Sequence, residues 1–427
     1  MPGCKPLPGV EEWAQKLEEC AHMTRSPLPL TAVLLILASN AAWSYPAPPP
    51  DPAFPASAVE PAVQQLRRAM LDREVNSLTF HNMDQLFTTR TVGRSGPVWR
   101  LPRADHELDF SYQFRGQTVA ARDFLERTYT NALLVMKDGR IVYENYRNNT
   151  NEWTRFIAFS MTKSINSVLI GCALEEKRIR SIDDPITRYL PELAGGGYDG
   201  VTIRQILQMR SGVDYEERYD FEHPGIAARN HEQALVRNVV RFADVARTVQ
   251  RKHPPGAVWE YKTLDTAVLG WLVERVSGGS TVAAYTAQRL WEPLGAEGDG
   301  FYIMDGAPGT GREFSGAGFN ATLRDFARFG QMVIGGGVAN GHRIVSREWL
   351  AESTRPTGGP GPGYGYQWWM GLRPGSFQAV GLQGQYIYID PASRTVIVKL
   401  SYFPPGDEDP GEESAAFFAA ASAWTPR

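Results

Sequence analysis

Strand-like stretches rich in β-branched and aromatic residues stand near both ends of the chain's apolar core, with helical patterns between them. From Ala132 to Tyr146, two runs rich in Val, Ile and Tyr flank Asp138-Gly139, a pair whose tolerance of left-handed backbone favours a tight hairpin. Gln385 to Ser401 repeats the plan around Asp390-Pro391. In between, Ser160 to Lys177, Thr202 to Met209, Asp265 to Val276 and Thr322 to Val333 place apolar residues at helical spacing. Strands at the two ends with helices between them are not a βαβα alternation, so a doubly wound parallel sheet is disfavoured. The expected fold class is α/β of the α+β type: one antiparallel sheet drawn from both ends of the chain, flanked by helices, with a helical lobe inserted in the middle.

The composition excludes several functions. With 427 residues, 43% of them hydrophobic, the chain can bury a sizeable core and is too large for a small binding module. A net charge of −3 without a basic block offers no nucleic-acid surface, which needs clustered Lys and Arg to displace counterions. The apolar run Thr31 to Ala38 is far short of the ~20 residues that cross a bilayer, so no stable membrane anchor is expected. It does fit the apolar part of a signal peptide. Met23, Thr24 and Arg25 supply the charged start, and Ala42-Trp43-Ser44 or Ser39-Asn40-Ala41 the small residues of a cleavage site. Export to the periplasm or beyond is therefore expected. Glu11, Glu12, Glu18 and Glu19 make a poor signal-peptide start, so we read Met23 as the true initiator. Cleavage after Ser44 would leave Cys172 as the sole cysteine, with no intrachain disulfide and no zinc-type cysteine set.

Along the chain, residues 1–44 read as an upstream segment with the signal peptide and 45–61 as a Pro-rich linker. Residues 62–130 read as a wrapping extension with a helical stretch from Val63 to Asp72 and no recognisable chemistry. Residues 131–403 form the main domain and 404–427 a C-terminal segment.

Three features in the main domain could carry chemistry. Ser160 and Lys163 stand three apart where a helix should start, which puts them on one helix face within reach of each other. A serine hydroxyl becomes a strong nucleophile when an adjacent base takes its proton, and a lysine serves if its surroundings disfavour the ammonium. The competing reading makes Ser160 an N-cap and Lys163 a solvated cation. Next, Pro255-Gly256 and the helix from Asp265 hold Tyr261 on a short connector, where a phenol could enter a cleft or simply pack. Finally, Val380-Gly381-Leu382-Gln383-Gly384-Gln385 is a glycine-bearing strand entry, of the kind that lets a ligand approach backbone N–H groups or that marks a bulge.

In that order along the chain, Ser-x-x-Lys, Tyr-x-Thr and a glycine-bearing final strand resemble the serine β-lactamase and penicillin-binding-protein superfamily. Ile182 to Pro191, Val201 to Gly212, Gly316 to Gly330 and Tyr364 to Trp369 are similar to its class C-like esterases and amide hydrolases. Together these segments span about residues 131–403. Within that branch the chain most resembles the 6-aminohexanoate-dimer (nylon-oligomer) hydrolases, which share an N-terminal extension and the Glu217-Arg218-Tyr219 element. The resemblance implies that Ser160 is acylated, Lys163 accepts its proton and Tyr261 relays a proton to the leaving group. It further implies an oxyanion hole from the N–H groups of Ser160 and Gln385, with Tyr219, Gln383 and Gly384 contacting substrate. Thr263 replaces an asparagine common in the family, which leaves its role open.

One departure matters more than the matches. Where β-lactamases and transpeptidases carry Lys-Thr-Gly, the aligned residues are Leu382-Gln383-Gly384, so a substrate carboxylate loses charge-assisted hydrogen bonds worth roughly 1.5–3 kcal/mol each. The expected partner is therefore a small ester or amide, hydrolysed without a metal or organic cofactor. A β-lactamase or D-alanyl-D-alanine carboxypeptidase and a non-catalytic sensor of the same fold are the alternatives. Asp214, Glu216, Glu217, Asp220 and Glu222 read as a solvated acidic face in preference to an amine-binding one. His223, His231 and His253 lack metal-ligand spacing.

Overall fold

Asp138 and Gly139 adopt left-handed φ angles of 50° and 77°, and Lys137 faces Arg140 across the turn, so the hairpin forms where the sequence predicts it. The computed structural model describes residues 53–219, 223–358 and 363–426. The signal-peptide reading, residues 45–52 of the linker, Asp220 and Glu222 lie outside them. The main sheet has six strands: β1 (Thr130–Lys137), β2 (Arg140–Tyr146), β3 (Trp369–Met370), β4 (Phe377–Gly381), β5 (Gln385–Asp390) and β6 (Thr395–Ser401). Their spatial order is β3-β4-β5-β6-β1-β2, with every neighbouring pair antiparallel. The expected antiparallel sheet drawn from both chain ends is thus observed, though it is not the only sheet among the described residues.

Every residue of β1, β5 and β6 is buried, because helices cover both faces. Leu134, Met136, Ile387, Ile389, Val396 and Val398 turn one way, toward α1 (Met161–Glu175), α2 (Thr263–Val276) and α3 (Leu323–Ile334). Leu133, Val135, Tyr388 and Ile397 turn the other way, toward Phe124 and toward Phe417 and Phe418 of α4 (Asp409–Ala423). Phe124 stacks on Phe417 at 3.8 Å. Burial on both faces explains why these strands read as nearly continuous apolar runs. Each such side chain contributes about 1.5–3 kcal/mol. The helices start where capping chemistry stands: Thr202 caps Ile203–Leu207 with a reciprocal bond from Gln205, and Thr322 accepts from Asp325 N.

A second, four-stranded sheet escapes sequence reading. It runs Thr89–Val92, Gly300–Ile303, Phe319–Thr322, Arg155–Ile157, every neighbouring pair antiparallel. Strands of three or four residues are too short for periodicity to register. The first comes from the N-terminal extension, whose predicted helix forms at Pro61–Ala69, and the last leads directly into Ser160. No helix among the described residues is long and apolar enough to cross a membrane.

Candidate active site

The chain leaves the strand Arg155–Ile157, passes through Phe159 at φ 42° and enters α1 with Ser160 as its N-cap. A left-handed non-glycine residue is costly and persists only where surroundings fix it. Ser160 makes no capping bond with its side chain. Its Oγ instead accepts from Lys163 Nζ at 3.0 Å. Helical spacing brings the two together as the sequence predicts, and the reading of Ser160 as a mere cap fails on that bond.

Lys163 is 1% exposed. Its ammonium donates to Ser160 Oγ, to Thr263 Oγ1 at 3.1 Å and to Gly316 O at 2.8 Å, which uses all three of its protons. Burial pushes its pKa down to about 8, against an opposing pull from the Glu217 charge. A lysine with such a pKa is neutral in roughly a tenth of molecules at pH 7, enough to accept a proton from a neighbouring hydroxyl.

Tyr261 lies on the connector before α2, and Lys163 Nζ sits 5.0 Å from its ring centroid. The ring stacks on Trp369 at 5.6 Å and meets Tyr364 edge-on at 6.3 Å. Trp259 and Met209 complete an aromatic wall. The structure therefore brings Ser160, Lys163 and Tyr261 into one cluster, packed against a small apolar core of Met209, Trp259 and Tyr364 with Tyr261 and Trp369 half-buried at its edge.

Two members of the cluster were not legible as such. Glu217, read as part of a solvated face, accepts from Thr263 N at 2.9 Å, from Thr263 Oγ1 at 2.5 Å and from Tyr219 OH at 2.8 Å. Thr263 thus has a defined role: its hydroxyl receives the Lys163 ammonium and hands its own proton to Glu217. The signal for Glu217 was the Glu-x-Tyr spacing, which points both side chains to one side of an extended segment. Tyr219 sits at this cluster with its ring edge-on to His231 at 5.7 Å. The second unforeseen member, Gly316, contributes only its carbonyl, to which no side-chain pattern could point. Of the other acidic residues, Asp214 and Glu216 are exposed.

The glycine strand departs from expectation. The glycine that meets the nucleophile turn is Gly381, at the end of β4: a Cβ there would lie 2.3 Å from Ala158 O. Gln383, Gly384 and Gln385 make their contacts elsewhere. Gln383 Nε2 donates to Leu71 O at 2.9 Å, a Cβ on Gly384 would strike the Phe403 ring, and the Gln385 amide donates to Ser401 O at 2.8 Å. Leu382, Gln383 and Gly384 form the hairpin turn into β5, with Gly381 paired to Gln385. The structure thus places Gly381, three residues before Gly384, at the nucleophile turn, so the residue that follows the approaching glycine is Leu382 instead of Gln385, and the Gln383 and Gly384 contacts lead away from that turn. Among the described residues, neither Ser160 N–H nor Leu382 N–H has a backbone acceptor.

The histidines stay outside this chemistry. His231 is held neutral, its pKa lowered to about 4 by burial; His253 lies 3.8 Å from Glu260. Among the described residues no group of His, Cys, Asp and Glu could hold a metal ion. Cys172 is buried and donates to Ile344 O.

Known proteins share this chain's sequence pattern and its fold. The pattern of the Beta-lactamase family matches residues 121–421. The 6-aminohexanoate-dimer hydrolase of Paenarthrobacter ureafaciens is 34% identical over 302 residues, which cover 66% of this chain and 75% of that one. A Bacillus anthracis structure assigned as a 6-aminohexanoate-dimer hydrolase superposes with a TM-score of 0.75 at 25% identity, covering 83% of this chain and 96% of that one. EstCE1, a hydrolase with promiscuous acyltransferase activity, shares the fold with a TM-score of 0.56 at 17% identity, over 68% of this chain and 94% of its own.

Proposed function

We propose, for a chain that belongs to the Beta-lactamase family and is a serine hydrolase, that it cleaves amide or ester bonds through an acyl-enzyme on Ser160. The observation that carries this reading is the 3.0 Å bond between Lys163 Nζ and Ser160 Oγ, made by a lysine whose burial lowers its pKa to about 8.

In this mechanism neutral Lys163 takes the Ser160 proton as Oγ attacks the substrate carbonyl. The oxyanion is met by the N–H groups of Ser160 and Leu382, the latter following the glycine that approaches the nucleophile turn. Tyr261, beside Lys163, gives a proton to the departing amine or alcohol and recovers one through Lys163. Water then attacks the acyl-enzyme, its proton passing to the same base, and releases the acid with Ser160 restored.

The substrate class follows from the lining and the relatives. Tyr261 and Trp369, the half-buried aromatics beside Lys163, favour an apolar acyl chain, such as the aliphatic chain of a 6-aminohexanoate dimer or a carboxylic ester. From Gln378 to Gln385 there is no Lys, Arg or His, so in either alignment register the cation that would hold a penicillin or D-Ala-D-Ala carboxylate is missing. Export belongs to the same proposal, supported by the run Thr31 to Ala38. The test is turnover of a p-nitrophenyl ester, 6-aminohexanoate dimer and nitrocefin by one preparation. Ester or dimer hydrolysis with little nitrocefin loss supports the reading, and rapid nitrocefin loss replaces it with a β-lactamase.

A further inference from the structure

Residues 62–120 of the N-terminal extension lie outside the residues that match the family pattern, yet this part touches both sides of the proposed oxyanion hole. Two non-glycine residues there have left-handed backbone: Phe159, just before Ser160, at φ 42°, and Gln383, just after Leu382, at φ 52°. Each is held by the extension. The Phe80 ring packs edge-on against Phe159 at 4.9 Å, and Phe80 O accepts from Ile157 N at 2.9 Å. Leu71 O accepts from Gln383 Nε2 at 2.9 Å. Asn76 Nδ2 donates to Phe403 O at 3.0 Å, and Phe403 N donates in turn to Gln383 O at 3.1 Å.

We infer that residues Leu71 to Phe80 form a clamp that sets the two oxyanion donors, with Phe80 a positioning residue for Ser160 N–H and the Leu71 carbonyl one for Leu382 N–H. The inference rests on the proposed acyl-enzyme reading. Left-handed backbone at ordinary residues relaxes when the contacts that fix it are removed, and a relaxed Phe159 or Gln383 re-aims the neighbouring amide. Hydrogen bonds to a developing oxyanion depend steeply on that aim, since loss of one donor costs about 10²–10³ in kcat. The clamp acts on the transition state and leaves ground-state binding to the aromatic wall.

The experiment compares Phe80→Leu with Phe87→Leu in the full chain. Both phenylalanines belong to the extension and are buried, at 1% and 5% exposure, and Phe87 packs under the Arg67 guanidinium, 4.5 Å from its ring centroid. Turnover of a p-nitrophenyl ester is measured per site titrated with a fluorophosphonate, so that misfolded protein does not count. The clamp predicts that Phe80→Leu lowers kcat at least about tenfold with KM within about twofold, and that Phe87→Leu leaves both near the unmutated values. Gln383→Met, which removes the bond to Leu71 without opening the core, should lower kcat in the same way and guards against a Phe80 variant that fails to fold. Unchanged kcat in Phe80→Leu and Gln383→Met, or an equal loss in Phe87→Leu, overturns the clamp while leaving the nucleophile reading intact. Turnover that survives Ser160→Ala overturns the nucleophile reading and the clamp with it.

Discussion

Glu217 Oε1 lies 2.5 Å from Thr263 Oγ1, the same oxygen that receives the Lys163 ammonium at 3.1 Å. The buried base is therefore one hydroxyl away from a carboxylate. Burial drives Lys163 toward its neutral form and the Glu217 charge opposes it. In the proposed mechanism the balance of the two sets the pH at which Ser160 loses its proton.

Replacing Glu217 by Gln removes the opposing charge while keeping a hydrogen-bonding side chain. The Lys163 pKa should fall below about 8. Because the neutral lysine is the active form, the rate rises as pH climbs through that pKa, and the acid limb of the kcat/KM profile should move to lower pH by roughly half a unit or more. An acid limb that stays in place or moves upward would contradict the coupling.

Thr263→Val breaks the connection from both sides, leaving Lys163 with one acceptor fewer and Glu217 without its closest donor. Steady-state kinetics should show kcat/KM lower by about 10²-fold. Thr263→Ser, which restores the hydroxyl, should recover most of it. Equal activity in the Val and Ser variants would reduce Thr263 to a packing residue.

Tyr219→Phe deletes the hydroxyl that donates to Glu217 Oε1. If Tyr219 assists at a leaving nitrogen, 6-aminohexanoate-dimer hydrolysis should fall several-fold more than p-nitrophenyl ester hydrolysis, since a phenolate leaves without a proton. Equal losses on the two substrates would assign the ring to packing alone.

Asp72 offers a stability test that is read without turnover. Its Oδ2 is buried without a partner, and burial, followed by the charge of Glu74, raises its pKa to about 7. The folded state thus prefers the protonated carboxyl. The stability it contributes is complete below the ordinary carboxylate pKa and is lost as pH rises through 7. Asp72→Asn should raise Tm at pH 8 by roughly 1–3 °C and change it little at pH 4. A gain confined to pH 4 would reverse the assigned sign.

The parts legible in the sequence are those fixed by local spacing. Ser160 and Lys163 meet because three residues along a helix is one step across its face. The end strands and their Asp138-Gly139 hairpin follow from turn chemistry and apolar runs. What escaped depends on contacts between distant segments. Glu217 reads as a solvated acid because its partner Thr263 lies 46 residues away. The short strand Thr89–Val92 owes its existence to pairing with Gly300–Ile303 instead of to its own pattern. Gly381 and Gly384 both suit a close approach, and only the fold reveals that the first meets Ala158 while the second meets Phe403. The residue after the approaching glycine is accordingly Leu382, where local spacing points to Gln385.

The central claim, acylation of Ser160 with Lys163 as base, is tested most directly by intact-mass spectrometry after exposure to a fluorophosphonate probe, on the unmutated chain and on Ser160→Ala and Lys163→Ala. The account predicts a single adduct that peptide mapping places on Ser160, no adduct in Ser160→Ala, and labelling slowed by at least about 10²-fold in Lys163→Ala. An adduct that persists in Ser160→Ala, or normal labelling kinetics in Lys163→Ala, would contradict it.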